Sequence, residues 1–266
     1  DVSRACTLWA AAGEKVRGQG TILAKNRDYK PEKSELRLII PDKGFKYLGI
    51  FPVEGSGFQG LVAGVNEKGL AIVSATAGSI SKTKRNKGTK GLNERILASF
   101  ESVDSVTADT AMLKKSHPVF YMVADKNKAA VIEVAPGGKT AVKTVENGIL
   151  FHTNHYLDEL LTNANEKIGT SSLKRLDRIG YLLKNHSEQF SIEDFILFGS
   201  DTAEGPDNSI WRTGGSPKKE RTLATWIVLI PKQGNPELYI KFANPGQPEF
   251  ELDMKLDTSF WTEGLE

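Results

Sequence analysis

The 266-residue sequence predicts an α+β fold in which antiparallel sheets are covered by helices. Three observations predict it: strand-like segments fill the first half, amphipathic helical segments follow, and strands return near the end. The length and the 39% hydrophobic content suit one globular domain, or at most two small ones, with a substantial core.

Short apolar segments bounded by glycine, proline or polar turns predict the strands. In the first half these segments are 6–12, 21–24, 36–40, 47–51, 61–65 and 70–74. Later segments of the same kind are 119–124, 129–134, 139–145, 148–153, 222–230 and 237–242. The tetrapeptide 66–69 (Asn-Glu-Lys-Gly) predicts a hairpin turn, because its glycine tolerates a positive φ.

Helices are predicted where apolar residues recur every three or four positions. The segments are 93–103, 105–115 with a weaker pattern, 171–184 and 192–198. Ser171 and Ser172 can cap the third of these and Ser191 the fourth, since serine accepts from free backbone N–H groups. The loop 199–221 is rich in Gly, Pro and charge, as expected of a lid or binding edge.

Composition argues against two classes of partner. The net charge is only +2, and the basic segment 82–87 with Lys90 contains no aromatic residue that could stack on bases. We therefore expect a solvated loop there and no nucleic acid. No apolar stretch approaches the roughly 20 residues that a membrane span needs, so no span is expected.

Cys6 is the single cysteine, so it forms no internal disulfide and fills no zinc site alone. If the peptide bond before it were cut, Cys6 would carry a thiol and a free α-amine. That amine, with a pKa of about 8, can act as the base for the thiol. The alternative interpretation is a small hydrophobic residue of the core.

The residues before Cys6 resemble a processing site. Ser3, Arg4 and Ala5 fit the small-x-Ala pattern after which signal peptidase cuts. We expect residues 1–5 to be a leader remnant or the end of a propeptide, and residues 6–266 to be a single domain. Signal-peptide cleavage predicts a periplasmic or secreted protein. Self-cleavage and a cytoplasmic location remain the alternatives.

Two strand ends carry polar groups that an amide-cleaving cysteine needs. Asp28 ends the strand predicted to pair with that of Cys6, where its carboxylate could orient the α-amine. Asn154 ends an apolar strand and offers uncharged N–H donors suited to an oxyanion hole. Turn or capping roles are the alternative for both. His152 and His155 alternate on a strand without further ligands, so no metal is expected.

The order of several short motifs resembles the choloylglycine hydrolase and penicillin V acylase family and the related isopenicillin N acyltransferases. These are N-terminal-nucleophile hydrolases, in which the first residue of the mature chain attacks. The matching segments are Cys6-Thr7, Asn26-Arg27-Asp28, Asn66 to Leu70, Thr153-Asn154, Ser171 to Arg178 and Thr222 to Thr225.

This resemblance implies a four-layer αββα sandwich with Cys6 as nucleophile. It also implies that Asp28 holds the α-amine, that Asn154 helps to form the oxyanion hole, and that Arg175 supports the nucleophile. In the acyltransferase branch the supporting arginine precedes the late Thr-Leu strand. Lys219 or Arg221 is the candidate there.

Two departures from the hydrolase pattern concern the same site. Lys25 stands where that branch has arginine, which keeps the charge but loses the planar fork. Arg27, at the intervening position, could compensate. Thr76 stands where that branch has a second asparagine, and its hydroxyl can still donate.

The sequence thus predicts an amidase that cleaves a linear C–N bond of a small-molecule N-acyl substrate through a thioester on Cys6, without cofactor or metal. An acyltransferase with the same acyl-enzyme is one alternative. A binding protein that keeps the fold without the chemistry is another. A homo-oligomer is possible on either interpretation.

Overall fold

In the computed structural model, residues 5–53 and 60–265 are described, and they form two facing antiparallel sheets with helices outside. The six-stranded sheet contains Cys6 in β1, the strand next to its β10 edge. Its order is β10-β1-β2-β11-β12-β13. These strands are β1 (Cys6–Ala12), β2 (Thr21–Tyr29), β10 (Gly148–His152), β11 (Arg221–Ile230), β12 (Glu237–Phe242) and β13 (Phe250–Lys255).

The seven-stranded sheet is a continuous meander, with every strand paired to the next along the chain. Its strands are β3 (Ser34–Ile39), β4 (Tyr47–Pro52), β5 (Ala63–Asn66), β6 (Ala71–Thr76), β7 (Val119–Ala124), β8 (Ala129–Val134) and β9 (Thr140–Val145). At the β5–β6 turn, Gly69 has φ 82° and donates its N–H to the carbonyl of Asn66, which confirms the predicted hairpin.

Most helices of the described chain are short; the exception is the helix that follows β10. They are α1 (Lys82–Arg85), α2 (Leu92–Ser99), α3 (Val103–Ala108), α4 (Thr110–Lys115), α5 (Thr170–Lys184), α6 (Ile192–Gly199) and α7 (Thr258–Glu263). None of them is both long and apolar enough to cross a membrane.

Three apolar clusters separate four layers. The first lies between the two sheets and includes Leu8, Trp226 and Phe120. The second joins α2, α3 and α4 to the seven-stranded sheet, and the third joins α5 and α6 to the six-stranded sheet. This arrangement confirms the αββα sandwich of antiparallel sheets.

The structure departs from the predicted elements at a few places. β13 was not predicted, although its sequence Phe-Glu-Leu-Asp-Met-Lys alternates apolar and polar residues as expected of an edge strand. Residues 82–85 form one helical turn within the predicted loop. The predicted helix 93–103 ends instead at Ser99, where Phe100 is extended with φ −121°.

Candidate active site

Cys6 is the first residue of β1, between β10 and β2, and is 6% exposed. It belongs to the apolar cluster between the sheets, and it also lines a cavity of about 920 Å³. Lys25, Asp28 and Thr76 line the same cavity. The thiol is therefore at the boundary between packed core and an open space large enough for a small molecule.

Asn154 lies beside the backbone nitrogen of Cys6. Its Oδ1 accepts from the N–H of Cys6 at 3.0 Å and from Nη2 of Arg175 at 2.8 Å. Its Nδ2 donates to the backbone carbonyl of Thr76 at 2.9 Å. Because Arg175 can only donate, it keeps the oxygen of the amide turned toward the nucleophile.

Arg175 ties the first residues of β1 to α5. Its Nη1 donates to the carbonyl of Cys6 at 2.5 Å and to Oγ1 of Thr7 at 3.1 Å. Burial lowers the pKa of Arg175 to about 10, against the opposing attraction of Asp28, so the guanidinium stays charged at neutral pH. The side chain thus fixes the backbone on which the thiol is carried.

Asp28 lies beside the peptide bond between Ala5 and Cys6. Its backbone N–H donates to the carbonyl of Ala5 at 3.1 Å. Its Oδ1 accepts from Thr222, whereas Oδ2 is buried without a hydrogen-bond partner among the described residues. Burial raises the pKa of Asp28 to about 6, while Arg212, at 3.8 Å from Oδ2, opposes the rise.

Lys25 is a buried ammonium under the nucleophile. Its Nζ donates to the carbonyls of Val62 at 2.9 Å and Ser74 at 2.7 Å, and its charge interacts with the side chain of Cys6. Burial lowers the pKa of Lys25, and the neighbouring Cys6 opposes this. Lys25 reaches this position through the β1–β2 pairing. Its partner in register is Leu8, which lies two residues after Cys6 in β1.

Of the remaining predicted residues, one lines the cavity and two lie away from Cys6. Arg27 lines the cavity but is ion-paired with Glu32. Lys219 lies on the exposed loop, 3.8 Å from Asp207. Arg221 donates to loop carbonyls. The structure does not bring Lys219 or Arg221 to Cys6.

Two further residues belong to the site, although the sequence analysis did not single them out for it. Arg212, from the loop before β11, lies behind Asp28 and is also paired with Glu220 at 2.9 Å. Ser172 accepts from the backbone N–H of Asn154 at 2.9 Å. A buried arginine within a charged loop has no periodic signal, so only the fold reveals Arg212.

The histidines near Asn154 have hydrogen-bonding roles. His152 contacts Glu133 at 2.9 Å, and Nδ1 of His155 contacts Oγ of Ser172 at 2.8 Å. Burial lowers the pKa of His155 to about 4, so it is neutral at pH 7. Within residues 5–53 and 60–265, no group of three or more His, Cys, Asp or Glu side chains could hold a metal ion.

Residues 16–247 match the family described as acyl-coenzyme A:6-aminopenicillanic acid acyl-transferase. The chain belongs to this family. No curated protein matches the sequence significantly.

Solved structures of two hydrolases resemble the fold. A variant of conjugated bile acid hydrolase from Clostridium perfringens has a TM-score of 0.59 at 17% identity, covering 94% of this chain and 92% of that one. A second variant of the same hydrolase has a TM-score of 0.55, with the same identity and coverage. Penicillin V acylase from Agrobacterium tumefaciens has a TM-score of 0.52 at 14% identity, covering 94% and 86%.

Proposed function

We propose that this protein is a cysteine-dependent N-terminal-nucleophile amidase that becomes active when Cys6 is the first residue. The observation that carries the proposal is that the nitrogen, carbonyl and side chain of Cys6 each have a polar partner, at one cavity. These partners are Asn154, Arg175 and Lys25. A cysteine that merely fills a core needs none of them.

The α-amine of Cys6 is the proposed base. Asn154 Oδ1, already 3.0 Å from this nitrogen, would accept one of its protons and orient the lone pair. Removal of Ala5 frees the backbone N–H of Asp28, whose Oδ2 is buried without a hydrogen-bond partner among the described residues. That carboxylate would then hold the protonated amine formed during attack.

The reaction would proceed through one covalent intermediate. The sulfur bonds to the substrate carbonyl as the thiol proton moves to the α-amine, and Lys25 stabilises the developing charge. The C–N bond then breaks, and the amine returns its proton to the leaving nitrogen. Water attacks the thioester, releases the acid and restores the thiol.

An acyltransferase is the second candidate, and membership of the acyltransferase family favours it. The same thioester would form, and an amine instead of water would attack it. Both reactions share every residue proposed above, so the acceptor alone separates them. A small-molecule N-acyl compound or acyl thioester is the proposed substrate class.

The test uses a chain produced with Cys6 as its first residue. It is incubated with N-acyl amino acids, penicillin V, bile-salt conjugates and acyl-homoserine lactones, and mass spectrometry follows the acyl-enzyme and products. Acid release supports the amidase, and new amides formed from thioester donors and added amines support the acyltransferase.

The control is Cys6→Ser, which should leave no thioester. If the parent thiol stays unmodified by iodoacetamide at neutral pH and every substrate is returned intact, the proposal is wrong. A binding protein on the same fold would then be the better interpretation.

A further inference from the structure

The basic segment 82–87 with Lys90 is not remote from the nucleophile. Lys82, Arg85 and Lys90 line the same cavity as Cys6, together with Lys30. We propose that this basic rim, defined as Lys30, Lys82, Arg85 and Lys90, selects substrates that carry an anionic group beyond the reacting carbonyl. The inference rests on the proposed function, since it assigns the charge of the substrate at that site.

The positive charge of the cavity exceeds its negative charge. Among the described residues, six cationic and three acidic side chains line it: Lys25, Arg27 and the four rim residues against Asp28, Glu32 and Glu94. Glu32 is paired with Arg27, and Glu94 accepts from the backbone N–H of Leu61 at 2.8 Å. The acidic groups therefore have partners away from the rim.

Among the described residues, no carboxylate neutralises the charges of the rim lysines. In the described part of the chain, Lys30, Lys82 and Lys90 form no ion pair with a carboxylate, whereas the neighbouring Lys84 pairs with Glu166. Lys90 donates to the neutral side chain of Asn86 at 3.2 Å. Lys30, Lys82 and Lys90 are also exposed, so their charges face whatever enters the cavity.

The cavity lining also includes apolar side chains. They belong to Leu61, Val62, Ala75, Leu92 and Val119. An acyl chain would pack there, and an anionic end would reach the rim. A carboxylate on the leaving amine and the phosphates of a thioester donor share this chemistry.

The test measures charge selection at Cys6 itself, in the form that begins with Cys6. Iodoacetate and iodoacetamide have nearly the same size and differ in charge, and with either one the sulfur displaces iodide and forms one S–C bond. The measured quantity is the alkylation rate with iodoacetate divided by the rate with iodoacetamide. At low salt we expect this ratio to fall about twofold for each lysine removed in the double variant Lys82→Ala/Lys90→Ala. High salt should reduce the effect of the substitutions.

Lys87→Ala is the matched control, because Lys87 is an exposed cation of the same segment that does not line the cavity. Its ratio should equal that of the parent. An unchanged ratio in the double variant, or an equal fall in the control, overturns the proposal. So does a thiol that neither reagent modifies, since the rim and Cys6 would then not share an accessible space.

A second experiment, with substrates, distinguishes an anionic group on the leaving amine from one on the thioester donor. N-octanoylglycine is compared with N-octanoylglycinamide, and octanoyl-CoA with S-octanoylpantetheine. The double variant should lose kcat/KM about fourfold for the anionic member of the preferred pair and keep it for the neutral one. If no substrate turns over, the proposed function fails, and the alkylation ratio still decides the charge selection.

Discussion

Lys25 is the residue whose chemistry differs most from a simple core position. It is buried, yet its ammonium donates to two carbonyls and its charge interacts with the side chain of Cys6. A buried cation without these partners would be too costly to keep. We therefore propose that Lys25 stabilises the negative charge that develops on the substrate during attack by the sulfur.

Removing this charge should slow acylation. Lys25→Met keeps the length and removes the cation, and we expect kcat/KM to fall about 100-fold. Lys25→Arg keeps the charge and should retain more activity. Acylation rates with a neutral amide give the comparison, with Lys30→Met as a control cation that lies on the rim. Equal rates for Lys25→Met and the parent would contradict the assignment.

Asp28 offers a stability test with a defined sign. Its folded pKa of about 6 is above the unfolded value near 4, so the carboxyl group destabilises the fold once it ionises. Stability is thus lost as the pH rises through 6. Asp28→Asn should be more stable than the parent by roughly 2 kcal/mol at pH 7.5, and this gain should vanish below about pH 4.

Chemical denaturation at several pH values measures the gain, and the same variant should lose amidase activity. The measurements below about pH 4 are the internal control, because parent and variant should then be equally stable. A variant that is equally destabilised at every pH would show that the carboxylate contributes to folding instead.

At the scale of elements, the junction between β10 and α5 organises the site. β10 leads into Asn154, and α5 carries Arg175. Ser172, in the first turn of α5, joins them, because its Oγ accepts from the N–H of Asn154 and contacts Nδ1 of His155 at 2.8 Å. Oγ1 of Thr153 is also 2.9 Å from this oxygen.

Ser172 is therefore a positioning residue. Ser172→Ala should lower kcat about tenfold and leave KM within about twofold, because Asn154 loses its fixed orientation while the cavity is unchanged. The loss of a buried partner should also cost about 1–3 kcal/mol of stability.

The control for this prediction is Ser191→Ala, which removes the N-cap of α6 without touching the site. It should lower Tm by a comparable amount and leave kcat unchanged when both are assayed well below their transitions. Parallel losses of kcat in the two variants would indicate a general structural effect of Ser172→Ala.

At the scale of the whole molecule, the sandwich brings two distant regions of the chain to the peptide bond between Ala5 and Cys6. The N–H of Asp28 binds the carbonyl of Ala5, and Asn154 binds the N–H of Cys6. As long as that bond is intact, the nitrogen of Cys6 is an amide and cannot serve as a base. The proposed activity therefore depends on removal of the residues before Cys6.

We expect protein from its native compartment to begin with Cys6, as shown by mass spectrometry. The rate at which iodoacetamide alkylates the free-amine form should change with pH, with a midpoint near pH 8, where an α-amine loses its proton. A chain that retains Ala5 should lack that titration and should not cleave amides. Equal amidase activity in the two forms would contradict a role for the α-amine.

Much of this fold follows from local patterns. Strands 119–124 and 129–134 are confirmed at their exact bounds, and the helix that ends at Lys184 starts one residue earlier than expected. Each has a clear apolar period and ends at a turn or cap. β13 was missed although it also alternates apolar and polar residues; it lies at an exposed edge beside β12, where Leu252 and Met254 pack against the core.

The sequence by itself determined that Cys6, Asp28, Asn154 and Arg175 are the residues to examine, through their order and spacing along the chain. Only the tertiary structure decided which atoms of Asn154 and Arg175 meet Cys6, and that Arg212 lies behind Asp28. It also brought the basic rim to the cavity. The contact between Arg175 and Cys6, for example, joins residues 169 positions apart in the chain. Hydrogen bonds and charge interactions act over a few ångströms in space, so their partners are defined by packing of the layers and not by sequence separation.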